Sequence, residues 1–189
     1  MSTRNTSKGS WSMPGVGEKQ DALWGAAALK PPPFGTPGND VLKGDNGVNG
    51  IPGFGGNDTI YGYGSNDAIM GGAGNDKLYG GSGSDHFRFD TRLNAKTNVD
   101  KIMDFKPNED IIELARSPFS KVGKAGAVLK EAAFYAGTKA HDKDDRIIYD
   151  KKTGSLYYDA DGKGGTAQIK FATIANKVTL AYDDFVIAF

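Results

Sequence analysis

GTPGNDVLK (35–43), GDNGVNGIP (44–52), GFGGNDTIY (53–61), GYGSNDAIM (62–70), GGAGNDKLY (71–79) and GGSGSDHFR (80–88) follow one another without an insertion, and their register decides the fold. The first place is glycine in all six units, and the fourth is glycine in five, with Ser65 the exception. The sixth is aspartate in five (Asp40, Asp58, Asp67, Asp76 and Asp85), with Asn49 as the substitute. The eighth is always apolar: Leu42, Ile51, Ile60, Ile69, Leu78 and Phe87. A fixed period held this long marks a repeat architecture. A linker would impose no aspartate at every ninth residue.

Early glycines followed by one late apolar residue describe a turn leading into a short strand. Glycine permits backbone conformations closed to other residues and lets chains approach closely. In a strand the eighth-place side chain points inward and its two neighbours outward. Successive strands are expected to alternate between two opposed sheets, so that two units make one 18-residue coil. Stacked coils then place Asp40, Asp58 and Asp76 in one column and Asn49, Asp67 and Asp85 in another. Adjacent strands lie about 4.8 Å apart, so such carboxylates repel. One apolar residue per unit buries too little area to offset this repulsion and the ordering entropy of so much glycine. Ca2+ resolves the conflict, because it takes six to eight hard oxygens from carboxylates and carbonyls in tolerant geometry. Mg2+ demands a stricter octahedron and keeps its waters. Folding and calcium binding are therefore expected to be one process.

The units resemble the repeats-in-toxin (RTX) nonapeptide GGxGxDx-aliphatic-x, which GGAGNDKLY and GGSGSDHFR match in full. The resemblance implies a calcium-dependent parallel β-roll of about three coils, mainly all-β. Each ion would sit between stacked turns, held by sixth-place aspartates and early-turn carbonyls. That implicates Gly53, Gly55, Gly71, Ala73, Gly80 and Ser82 beside Asp40, Asp58, Asp67, Asp76 and Asp85. The second place departs from the family's glycine at Thr36, Asp45, Phe54 and Tyr63. Unit two lacks its aspartate and ends in Pro52, which removes a ladder donor. Three to five ions are expected, with the Asn49 position weak or empty and the strongest binding over 71–88. The stretches DHFRFD and NVDKIMDFKPNEDIIEL resemble the C-terminal flank that closes such rolls. Within them Asp100 and Asp104 are candidates for a last site, or else solvated strand-end residues.

Around the repeats the texture changes. Residues 1–34 read as a disordered leader with a short helix near 21–29 and a stiff Pro31-Pro32-Pro33 exit. Residues 89–189 read as a β-rich cap. Alternating stretches fall at 100–105, 110–114, 146–150, 155–159 and 166–172, a hairpin connection at 150–154, and one short helix at 128–135. The DADGKGG segment has Lys170 where an EF-hand loop needs its bidentate glutamate, so a turn is expected there.

Charge and composition exclude several classes. The 23 basic and 23 acidic residues balance, leaving no field to recruit nucleic acid or anionic lipid. There is no cysteine, hence no disulfide, thiolate zinc site or cysteine nucleophile. No apolar run is long enough for a membrane span or a secretory h-region. The two histidines, His86 and His141, belong to no catalytic motif, and His86 occupies an outward place that Val41, Thr59, Ala68 and Lys77 fill elsewhere. No enzyme activity is expected. The tail YDDFVIAF (182–189) resembles the uncleaved signal read by type I secretion machinery in Gram-negative bacteria, although a last core strand has the same composition. Extracellular calcium modules bind at about 10⁻⁴ to 10⁻³ M, so the chain is expected to stay unfolded in the cytosol and fold outside. Two functions follow: a small secreted calcium-binding protein acting at a host or cell surface, or the folding and secretion module of a larger hydrolase or toxin.

Overall fold

A computed structural model describes residues 33–189, so the expected leader and its helix lie outside the described residues except for Pro33 and Phe34. Two sheets face each other. The first runs β1 (Val41–Lys43), β3 (Thr59–Gly64), β5 (Lys77–Ser82), β7 (Asp100–Ile102), β12 (Ile169–Ile174), β11 (Ser155–Tyr158), β10 (Ile147–Asp150) and β9 (Phe134–Ala136). The second runs β13 (Phe185–Ala188), β8 (Ile111–Ala115), β6 (His86–Phe89), β4 (Ala68–Met70) and β2 (Gly50–Pro52). Strands from successive repeats alternate between the sheets, as the nine-residue period requires.

Register follows from the eighth-place side chains. Leu42 pairs with Ile60, Ile60 with Leu78, and Leu78 with Ile102 in the first sheet, all parallel. Ile51, Ile69, Phe87 and Ile112 make the facing ladder. Seven of these eight are fully buried and Leu42, on the edge strand, nearly so. A one-residue slip would turn each ladder out to solvent, which is why the register is strict. The last rung of each ladder comes from beyond the repeats: β7 and β8 supply another coil, with Ile102 and Ile112 each two residues after an aspartate. On the outer face Tyr61 and Tyr79 pair across strands with ring centroids 4.6 Å apart.

Past that coil the first sheet continues into the antiparallel ribbon β10–β11–β12, turned by Gly154 at φ +76°. Phe89, Phe119, Tyr158 and Phe171 meet there edge to face and close the end of the core. The helical spacing over 128–135 resolves as a single 3-10 turn, Glu131–Ala133, entered from extended Lys130. Phe134 and Tyr135 leave it because they pair with Ile147 and Ile148 as strand. The tail is a core strand: β13 runs parallel to β8, with Phe185 and Ile187 buried. His86 is not an interchangeable outward residue either. It is buried, its Nδ1 lies 2.7 Å from Glu113 Oε1, and Arg88 Nη1 approaches the same carboxylate at 3.7 Å. Among the described residues no helix is long and apolar enough to cross a membrane.

The turns explain the glycines. In units three to six the second place is left-handed, at Phe54 (φ 69°), Tyr63 (φ 76°), Gly72 (φ 92°) and Gly81 (φ 93°). Phe54 and Tyr63 thus hold a conformation that costs roughly 1–2 kcal/mol for a residue with a Cβ. Gly74 has φ +143°, and a Cβ there would fall on the carbonyl of Gly56 in the neighbouring coil. Gly55 is different: the nearest atom to an added Cβ is 3.7 Å away. Gly74→Ala should therefore cost at least about 2 kcal/mol and Gly55→Ala no more than about 0.5 kcal/mol in denaturant unfolding of the calcium-loaded protein. Equal effects would contradict this turn geometry.

Candidate metal centre

Each aspartate of the array ties one coil to the next. Asp58 Oδ1 accepts from Asp40 N at 2.8 Å, Asp76 Oδ1 from Asp58 N at 2.8 Å, and Asp100 Oδ1 from Asp76 N at 3.1 Å. In the other column Asp67 Oδ1 accepts from Asn49 N at 2.8 Å, Asp85 Oδ1 from Asp67 N at 3.0 Å, and Asp110 Oδ1 from Asp85 N at 3.0 Å. Asp110 is the member that the repeat pattern does not reveal. It stands outside the nine-residue frame, but its position two residues before Ile112 reproduces the Asp76–Leu78 spacing.

The second oxygen of the interior aspartates has no such partner. Oδ2 of Asp58, Asp67, Asp76 and Asp85 is buried without a hydrogen bond, in residues no more than 2% exposed. A buried, unsatisfied carboxylate oxygen is costly, so four in one array call for a ligand. Each lies over the first-place glycine of its own unit (Gly53, Gly62, Gly71 or Gly80), where a Cβ would strike it. At Gly53 and Gly62 the same spot is also met by the carbonyl of the next coil, Gly71 O and Gly80 O. Carboxylate and carbonyl oxygens thus converge with no donor between them. That is an oxygen cage of the kind a hard divalent cation fills, and it accounts for the invariant first-place glycine.

Other expected ligands also make bonds of their own. Gly55 and Ala73 donate their N–H groups to Thr36 O and Phe54 O, and the Ser82 hydroxyl to Tyr63 O, so all three stitch neighbouring coils. Asp40 Oδ2 accepts from Thr36 N at 2.6 Å and Thr36 Oγ1 at 2.8 Å. Asn49 Oδ1 accepts from Asp45 N at 2.8 Å, and its Nδ2 donates to Asp45 Oδ1 at 3.2 Å. Local donors therefore serve both residues of the first coil. Asp104 spends both oxygens on Gly80 N and Gly81 N, at 2.9 and 3.0 Å. Asp100 is buried against Asp76.

Elsewhere, ligand atoms of His141, Asp142 and Asp145 lie within 4.8 Å of one another. Asp145 Oδ2 is taken by His141 N and Asp142 N, and Asp142 Oδ1 by Asp144 N and Asp145 N, bonds that close the loop. In the DADGKGG segment Asp159 Oδ1 accepts from Asp161 N and Gly162 N, which makes it a turn.

A family model described as the RTX calcium-binding nonapeptide repeat matches residues 34–51 and 52–87, in four copies. The chain carries RTX calcium-binding repeats. Among solved structures this chain is similar to the AlgE6R3 subunit of the Azotobacter vinelandii mannuronan C5-epimerase, at 29% identity and TM-score 0.55, over 85% of this chain and 84% of that one. It also matches the AlgE6R2 subunit of that epimerase at 25% identity and TM-score 0.46, over 86% of this chain and 95% of that one. No curated protein matches it. The RTX repeats form a parallel β-roll, as their spacing implies.

Burial sets the electrostatics of the RTX columns. Desolvation pushes the Asp67 carboxyl from 3.8 up to about 7 and Asp110 up to about 6, against the backbone donors that hold their charged forms. Asp58, Asp76 and Asp85 move up for the same reason, and Asp100 well up, with Asp76 beside it adding to the effect. A carboxyl raised on folding binds more protons in the folded than in the unfolded state, so its contribution to stability falls as pH rises. In the metal-free roll, the contribution of these buried carboxyls to stability should be full below about pH 4 and be lost as pH rises to about 7, the window set by Asp67. Circular dichroism in chelator should show more β-structure at pH 4 than at pH 7.5. A metal-free roll that gains structure as pH rises would contradict this assignment.

Proposed function

We propose that the RTX array folds on binding Ca2+ outside the cell, and that the chain acts there through binding rather than catalysis. The observation that supports this most directly is the set of four buried Oδ2 atoms without partners, on Asp58, Asp67, Asp76 and Asp85. We assign these aspartates as ligands, with Asp100 beside Asp76, and with the Gly71 and Gly80 carbonyls converging on two of them. When bound, Ca2+ supplies the positive charge that the two carboxylate columns lack. The residues of the chain hold the oxygens in place: first-place glycines make room, and the Oδ1 bonds fix each carboxylate across coils. Circular dichroism of the chain in excess EGTA should show little order, with a transition to β-structure on adding calcium but not magnesium. Asp76→Ala should shift that transition at least several-fold to higher calcium. An array equally folded in EGTA at neutral pH would overturn coupled folding.

Export through type I secretion machinery from a Gram-negative bacterium is the companion proposal, supported by the repeats and by the Asp183-Asp184 pair before an apolar end. Because 185–188 are a core strand in the folded chain, the machinery would read them before folding. Removing residues 183–189 should abolish export of the unfolded chain, measured as secreted against retained protein; unchanged export would assign the tail to the core alone. A second reading, that the chain is a folding and secretion module of a larger secreted enzyme or toxin, is favoured by its similarity to a subunit of an epimerase.

A further inference from the structure

The two aspartate columns end differently. Gly72 and Gly81 hold the same second place in units five and six, and each presents its carbonyl to the segment that closes its column. Gly72 O is met by a neutral hydroxyl, Thr91 Oγ1, at 2.8 Å. Around it Asn98 Oδ1 accepts from Gly74 N, and Asn75 Oδ1 accepts from Val99 N, so this end is closed by uncharged groups. Gly81 O is met by the ammonium of Lys106. The Lys106 backbone N–H donates to Asp110 Oδ2 at 2.8 Å, and its Nζ lies 3.9 Å from Glu109 Oε2. One column thus ends on a protein cation set among a carbonyl and carboxylates; the other does not.

We infer that Lys106 is a built-in cation replacing the terminal metal ion of the Asp67–Asp85–Asp110 column, whereas the Asp76–Asp100 end takes its ion from solution. The inference deepens the calcium-dependent reading above and rests on it. Two further observations support it. Lys106 draws Asp85 and Asp110 down against their burial, while Asp100 meets only the charges of Asp76 and Asp58. Both oxygens of Asp110 are taken, by Asp85 N and Lys106 N, whereas Asp100, its counterpart in the other column, accepts from Asp76 N and has no lysine beside it; Oδ2 of Asp76 and of Asp85 is unpartnered in both columns. An ammonium suits the place: it is compact, carries three donors and no acceptor, and so can face only oxygens. Unlike Ca2+ it is not removed by a chelator.

The test counts ions. Native mass spectrometry of the full chain at saturating calcium would compare the unaltered protein with Lys106→Met, Lys106→Arg and Asp100→Asn. Lys106→Met should carry one ion more than the unaltered chain, Lys106→Arg the same number, and Asp100→Asn one fewer. An unchanged or lower count in Lys106→Met, or failure of that variant to fold at any calcium level, overturns the inference while leaving calcium-dependent folding intact. An unaltered chain that binds no calcium sinks both.

Discussion

Everything in this molecule depends on how the interior aspartates divide their two oxygens. Oδ1 accepts the amide of the sixth-place residue one coil earlier, and that bond sets the stacking of the turns. Fixing Oδ1 leaves Oδ2 inside, away from water and from any donor. The stacking that builds the roll therefore creates its electrostatic problem. Hydrophobic burial cannot offset it in the repeats, where each unit sends one ladder residue inward. On the proposed function, calcium binding and folding are two aspects of one balance, as in other small metal-dependent domains.

A solenoid also has ends, and a repeat that needs neighbours on both sides must be capped. This chain closes its ends with its own donors. At the first coil Thr36 and Asp45 take the oxygens of Asp40 and Asn49. The same substitutions that make those units poor matches to the RTX pattern thus suit a terminal coil. At the other end Thr91, Asp104 and Lys106 perform the task, and the extra coil β7–β8 hands the core over to an aromatic cluster. The roll passes into its cap without a break in either sheet.

That continuity gives the final residues two demands to meet. As β13 they complete the five-stranded sheet and bury Phe185 and Ile187. As a segment resembling a secretion signal they would have to be accessible. Both hold if they act at different times, the exposed state preceding calcium. On the proposed function, the physical link would be the calcium concentration acting on the aspartate columns.

How much of this was legible beforehand depends on the range of the interactions involved. The nine-residue period determined the sheet alternation, the register and the two columns, because each unit repeats one local solution and its neighbours are at fixed sequence distance. First-place glycines and sixth-place aspartates could be named as candidate site residues for that reason. Asp110 and Lys106 could not, since the loops that bring them to the roll break the period. Their partners, Asp85 and Gly81, are 25 residues away in sequence. The 3-10 turn in place of a helix at 128–135 has the same origin: pairing of Phe134 and Tyr135 with β10 outweighs a weak local preference. His86 likewise looked like any seventh-place residue until folding set Glu113 against it. The sequence by itself thus determined the repeated interior, where every contact is a neighbour's copy. Tertiary structure alone decided the ends, where unique residues from distant segments must satisfy what the last repeat leaves open.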